Sequence, residues 1–391
     1  MVGLLLGIIY LSFISLGLPD SLLGSVWPTL YTQINVPLSY AGILQMSIAA
    51  CTVISSLQSD RLTKKFGTGK VTAFSVMTTA IALFGFSISS SFPQLLLWAI
   101  PYGLGAGSID AALNNYVALH YESRHMSWLH CMWGVGATMG PLLISYALVS
   151  DKGWNMGYRY VFYIQVALTI ILFLSLPLWA KVPKQEDKDP ETGEIKKAMK
   201  LKDILAIPGS KEVMIAFFCY CAIEQTTGLW ATSYLVQNEG LSAQASASFA
   251  GLFFLGVTIG RAISGFVTIK LNDNQMIRLG LSIIAIGIAI IMLPLSSMAA
   301  FIGLIVVGLG CAPIYPSIIH STPANFGADK SQAIIGVQMA SAYIGSCLMP
   351  SFFGFLTKYL SVSFLPFYML ILLIILFITH GNMLKKTSSN R

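Results

Sequence analysis

Twelve apolar runs, each near the length a helix needs to cross a bilayer, dominate this chain. They cover residues 3–31, 39–60, 70–89, 93–118, 127–149, 159–181, 210–237, 242–268, 275–295, 298–320, 331–357 and 363–384. A spanning helix takes ~20 mainly apolar residues. Only helices and closed barrels satisfy every backbone polar group in hydrocarbon, and barrel strands alternate in polarity where these runs do not. The expected fold class is an all-α membrane protein. Composition agrees: 10% of residues are charged, against ~25% in soluble domains. The first run has no basic residue ahead of it and is too long for the core of a cleavable signal peptide. Its abrupt start at Met1 suggests that a short cytoplasmic lead precedes it.

The net charge of +7 raises the question of a polyanionic partner until the charges are placed. With both termini on one side, 20 of the 23 Lys and Arg fall on that side, Arg261 counted among them. The positive-inside rule makes it cytoplasmic. The expectation is a multi-pass protein of the cell membrane, both termini inside, with lipid and no nucleic acid as surroundings. The six cysteines all lie within apolar runs without CxxC spacing, which predicts packing residues; neither a metal nor a cofactor is expected.

One long polar segment, 182–209, divides the chain into an N-terminal six-helix bundle (1–181) and a C-terminal one (210–391). Within it, near-helical apolar spacing over 195–205 predicts a surface helix. The halves echo each other. Gly103-Leu-Gly-Ala matches Gly308-Leu-Gly-Cys, Asp20 and Trp27 match Glu224 and Trp230, and Gly136 and Pro141 match Gly345 and Pro350, at offsets of 203 to 209 residues. Two six-helix halves related by an axis along the membrane normal are a transporter arrangement, with the substrate site near midplane.

Of sixteen acids, only Asp20, Asp110 and Glu224 fall deep within apolar runs. An ionised acid there costs ~3 kcal/mol on insertion scales, and its default reading is functional. No Lys or Arg is expected at those depths, so no salt bridge is predicted. The acids then serve as proton relay or substrate ligand, or bond an unwound backbone or a neighbouring helix. In span 4, Gly103, Gly107, Asp110 and Asn114 form one helical stripe. Its glycines suit close packing, and Asn114 either bonds substrate or orients Asp110. Span 5 offers His130 as a relay or an interfacial polar residue, Trp133, and the small-residue pair Gly136 and Gly140. In span 7, Tyr220, Glu224, Thr227 and Gly228 share a face near Gln225 and Trp230, and Gly228 is expected to let the helix bend. Pro19 is expected to open span 1 beside Asp20. Tyr315 in span 10 and Gln338 in span 11 add polar groups that need partners. Trp27, Trp133 and Trp230 could lie against an apolar ligand face, and Trp27 equally suits an interfacial anchor.

After span 2 the chain reads Ser56-Leu-Gln-Ser-Asp60-Arg61-Leu-Thr-Lys64-Lys65. This resembles the Gly-x-x-x-Asp-Arg-x-Gly-Arg-Arg loop of the major facilitator superfamily, with Ser56 and Thr63 in place of the glycines. The corresponding stretch of the second half, Gly265 to Lys270, lacks the acid. Within the superfamily, Gly103 to Asp110, the His130 to Pro141 run and "GLGCAPIYPS" are similar to the fucose/glucose-type sugar:proton symporters. The resemblance implies the major facilitator fold of twelve transmembrane helices in two halves. It implies a sugar as substrate, and proton coupling by Asp110 with Asp20. It also implies an inner-face gate at Asp60, Arg61, Lys64 and Lys65.

The expected function is proton-coupled import of a hexose-like sugar by alternating access, by a monomer. Asp20, Asn114, Trp133, Glu224, Gln225, Trp230, Tyr315 and Gln338 are the candidate substrate ligands. A facilitator or exporter of another small polar metabolite or drug, with sodium as a possible coupling ion, is the alternative. No HExxH, GxSxG or phosphate-cradling loop is present, so an enzyme is not expected.

Overall fold

A computed structural model describes residues 2–37, 40–179, 198–240, 243–293 and 297–388, and among them all regular structure is helical. Eleven of its helical segments are long and apolar enough to cross a membrane, and Leu255–Val267 forms a shorter apolar one. This is the twelve-helix, all-α membrane architecture that the apolar runs predict. Large apolar side chains such as Leu97, Leu174 and Phe377 face outward, as lipid contact requires.

The described residues form two compact units. The first takes in residues up to Tyr116 and from Leu129 to Met199; the second takes in Val117–Trp128 and the residues from Lys200 onward. The first holds α1 (Val2–Asp20), α2 (Leu22–Gln33), α3 (Tyr40–Phe66), α4 (Thr68–Ile88), most of α5 (Phe92–His120) and of α6 (Ser123–Val149), and α7 (Gly153–Trp179). The second holds α8 (Leu201–Ala206), α9 (Ser210–Gln237), α10 (Ala243–Val267), α11 (Asp273–Met292), α12 (Ser297–Cys311), α13 (Ile314–His320), α14 (Thr322–Phe326), α15 (Ala328–Leu360) and α16 (Leu365–Ser388). Of the interhelical segment 182–209, residues up to 197 lie outside the described residues. Of the surface helix expected at 195–205, residues 198–200 are not helical and Leu201–Ala206 form the short helix α8, with Ile204 buried.

Span 1 is two helices. Ser21 is a turn between α1 and α2, directly after Pro19 and Asp20. Proline has no N–H, so the carbonyl four residues back, that of Ser15, loses its helical donor. Gln165 of α7 supplies one: its Nε2 donates to the Ser15 oxygen at 2.6 Å. Gly228 does not interrupt α9, which continues through it. Glycine permits a bend but keeps its N–H, so it removes no hydrogen bond. In span 10 the chain breaks after Cys311, and Pro313 caps α13.

Without a hydrophobic driving force between helices in lipid, association relies on close packing at small residues. A Cβ on Gly136 of α6 would collide with the Ile14 carbonyl of α1, and one on Gly17 with the Trp133 carbonyl. The second unit repeats this seam: a Cβ on Gly345 of α15 would lie 2.6 Å from the Phe218 oxygen of α9. Gly103 meets the Ile48 carbonyl, and Gly308 the Phe253 carbonyl, so both members of the pair shift by the same 205 residues. The duplication seen in the sequence is thus kept as duplicated helix contacts. Replacing Gly136 by Val should lower the apparent Tm of the detergent-solubilised protein, by an overpacking cost of ~2 kcal/mol. An unchanged melting curve would show that the α1–α6 seam yields without cost.

Candidate functional site

The break in span 1 leaves Asp20 exposed within the span Gly3–Trp27. Its carboxylate is held from two sides. Tyr102 of α5 donates its hydroxyl to Oδ1 at 2.9 Å. Trp133 of α6 donates its indole N–H to Oδ2 at 2.9 Å. Each oxygen keeps acceptor capacity for a further donor, since an ionised carboxylate offers about four lone-pair sites.

Asp110 lies in the same unit but is buried. Asn114, one turn on, donates from Nδ2 to Asp110 Oδ1 at 2.8 Å and to the Asp110 carbonyl at 3.0 Å. The Asn114 Oδ1 then faces His130 Nε2 at 3.0 Å. An amide oxygen can only accept, so this contact requires a proton on Nε2. Phe13 meets the His130 ring edge-on at 5.3 Å. Asp110, Asn114 and His130 thus form one buried chain, and Asn114 orients the acid.

In the second unit the sequence expectation is corrected. Glu224 has a cationic partner: Arg261 Nη2 lies 3.2 Å from Oε1 and 3.4 Å from Oε2. Both side chains are buried, at 4% and 5% exposure. Arg261 was expected at the inner membrane edge, six residues before the end of α10. Its guanidinium instead pairs with the buried acid, since either charge buried without the other would be costly. Tyr220 also donates its hydroxyl to Glu224, and the Arg261 guanidinium lies 6.0 Å from the Tyr315 ring centroid.

The other candidates are placed as follows. Trp230 donates its N–H to the Pro350 carbonyl at 3.0 Å and packs on Phe353. Gln338 is fully buried and exchanges hydrogen bonds with Thr322 at 3.0 and 3.2 Å. The Tyr315 hydroxyl points at Met339 Sδ, 3.3 Å away. Gln225 is half-buried. Asp60 is buried at the end of α3, paired with Lys64 at 3.0 Å, and accepts the Met199 N–H at 3.3 Å. Arg61 and Lys65 are exposed, and Lys65 lies over the Phe66 ring. The structure therefore gathers Asp20 with Tyr102 and Trp133, Asp110 with Asn114 and His130, and Glu224 with Tyr220 and Arg261. Sequence reasoning missed Tyr102, which directly precedes the glycine stripe of span 4, and the pairing of Arg261, a lone cation in an apolar run.

A helical bundle with carboxylates set inside its spans is the framework of a membrane transporter. The Major Facilitator Superfamily model matches residues 9–350, and the chain belongs to that family. It is 24% identical to the Bypass of stop codon protein 6 of Saccharomyces cerevisiae, over 90% of this chain and 77% of that one. It is 23% identical to the Glucose/mannose transporter GlcP of Bacillus subtilis, over 88% and 86%. Among solved structures it is similar to a Major Facilitator Superfamily transporter, FucP, described for E. coli as a fucose:proton symporter. That match has a TM-score of 0.79 and 16% identity, and covers 96% of this chain and 98% of that one.

Proposed function

We propose that the chain imports a hexose-like sugar together with a proton by alternating access, as a monomer in the cell membrane with both termini cytoplasmic. Residues 1–181 and 210–391 are the two moving bodies, and 182–209 joins them. Relative rocking of such bodies exposes a midplane site to each side in turn.

The contrast between Asp20 and Asp110 carries this reading. Asp20 is exposed, and its two oxygens are fixed by neutral donors. It can accept hydrogen bonds from the hydroxyls of a sugar while the Trp133 ring offers a flat apolar surface for the C–H face of the ligand. Asp110 is buried and bonded to Asn114, so it is the acid suited to hold a proton away from bulk solvent. Asp20 is the sugar ligand and Asp110 the coupling acid. The names of the Bacillus relative and of FucP support a sugar as the substrate class. Asp60 with Lys64, and Arg61 and Lys65 beside them, form the cytoplasmic gate.

Uptake of labelled D-glucose into proteoliposomes tests this. Acidifying the outside should drive accumulation, and a protonophore should abolish it. Trp133→Phe removes one hydrogen bond to a charged group, worth ~2 kcal/mol, and should raise the half-saturation concentration more than tenfold. Uptake indifferent to the protonophore for glucose, mannose and fucose alike would overturn proton coupling. A Trp133→Phe variant that saturates like the wild type would remove Asp20 from the sugar site.

A further inference from the structure

We infer that Gln165, a residue of α7 that reaches neither acid, is a positioning residue for the sugar site. It sets the geometry of Asp20 through the backbone of α1.

The chain of contacts is short. Pro19 leaves the Ser15 carbonyl without its helical donor, and Gln165 Nε2 supplies one at 2.6 Å. Gln165 is 1% exposed. Among the described residues, its own Oε1 is buried without a hydrogen-bond partner. A side chain that is held for packing alone would not leave a buried amide oxygen unmet, because that costs free energy. The compensating gain is the bond to Ser15. On another side α1 meets α6 through Gly17, whose Cβ would strike the Trp133 carbonyl, and Gly136, whose Cβ would strike that of Ile14. So α1 is fixed at one level by two neighbours: a glycine seam on α6 and an amide staple on α7. That level is the one from which Asp20 reaches Trp133, whose backbone forms the seam and whose indole binds Oδ2. Without the staple, the Ser15 carbonyl can be satisfied only by twisting α1 so that another donor or water reaches it. The next residues to move are Pro19 and Asp20.

This inference rests on the proposed role of Asp20 in sugar binding, and it is tested with two readouts, one of which needs no sugar. The first is the Trp133 indole N–H resonance in the full-length, indole-labelled protein, assigned with Trp133→Phe. The second is half-saturation for D-glucose in proteoliposomes. Gln165→Leu should shift or broaden the indole resonance and raise half-saturation about tenfold, the range expected when a buried carbonyl loses its partner. Pro19→Ala restores an N–H for Ser15 within α1, so in that background Gln165→Leu should move neither readout. If Gln165→Leu alone yields no folded protein, recovery of folded protein in the Pro19→Ala background supports the staple, and failure in both backgrounds overturns it. A lowered Tm with an unmoved Trp133 resonance overturns positioning, because the residue then only stabilises the bundle. An equal effect with and without Pro19 also overturns it. A resonance that shifts as expected in a protein that binds no glucose leaves the staple standing and removes the sugar reading instead.

Discussion

Asp110→Asn should abolish concentrative uptake while exchange of labelled for unlabelled sugar continues. With one proton per sugar, a pH difference of one unit supports about tenfold accumulation, since one unit corresponds to ~1.4 kcal/mol. The variant should bring the internal to external ratio to ~1. The physical ground is that an amide keeps the size of the acid, and hydrogen bonding toward Asn114, but carries no exchangeable charge. The bond from Asn114 Nδ2 to Asp110 Oδ1 at 2.8 Å can be kept by an amide oxygen. Folding and sugar binding should therefore survive at Asp20, which contacts Tyr102 and Trp133 and not Asp110. Counterflow measured beside gradient-driven uptake separates the two outcomes. Undiminished uphill uptake in the variant would move the coupling role away from Asp110.

The largest loss of stability is expected at Arg261. Replacing it by Leu leaves the buried Glu224 beside the Tyr220 hydroxyl without its cation. Breaking a buried pair by removing one member costs ~3–5 kcal/mol, whereas replacing both by apolar residues of similar volume is often neutral. Arg261→Leu should thus lower the apparent Tm steeply, and Arg261→Leu with Glu224→Leu should recover most of it. Thermal unfolding of the detergent-solubilised protein, followed by tryptophan fluorescence, reads both. A double variant as unstable as the single one would show that Arg261 stabilises the unit by something other than its pairing with Glu224.

The helices were legible because each apolar run is a direct statement about its solvent. The break at Pro19 was legible too, since a missing N–H is a local property of the residue. Gly228 is a different case: glycine permits a bend but keeps its N–H, so the residue by itself specifies no break, and α9 runs on through it. The three deep acids stood out as lone charges in apolar runs, and Asp20, Asp110 and Glu224 do sit among polar partners. Which partners they have is a tertiary fact. Tyr102 is 82 residues from Asp20, and Gln165 is 150 residues from Ser15, so no local pattern links them. Arg261 was misplaced for a different reason. A cation near the end of an apolar run is equally compatible with reaching toward the headgroups and with turning inward, and only the location of Glu224 decides. The repeat pairs Asp20 with Glu224 by position, yet one is exposed beside neutral donors and the other is buried beside a guanidinium.

The Glu224–Arg261 pair also bears on how the protein enters its membrane. An acid alone at the centre of a helix costs ~3 kcal/mol during insertion. The two lie on α9 and α10, which are consecutive in the chain, and a gap of 37 residues separates them. A ribosome therefore delivers them as one helical hairpin, and the acid need wait for only a single further helix before its counter-charge arrives. Inserted together, the hairpin presents lipid with a neutral dipole in place of two ions. A chain cut between α9 and α10 should integrate α9 less efficiently than the uncut hairpin does.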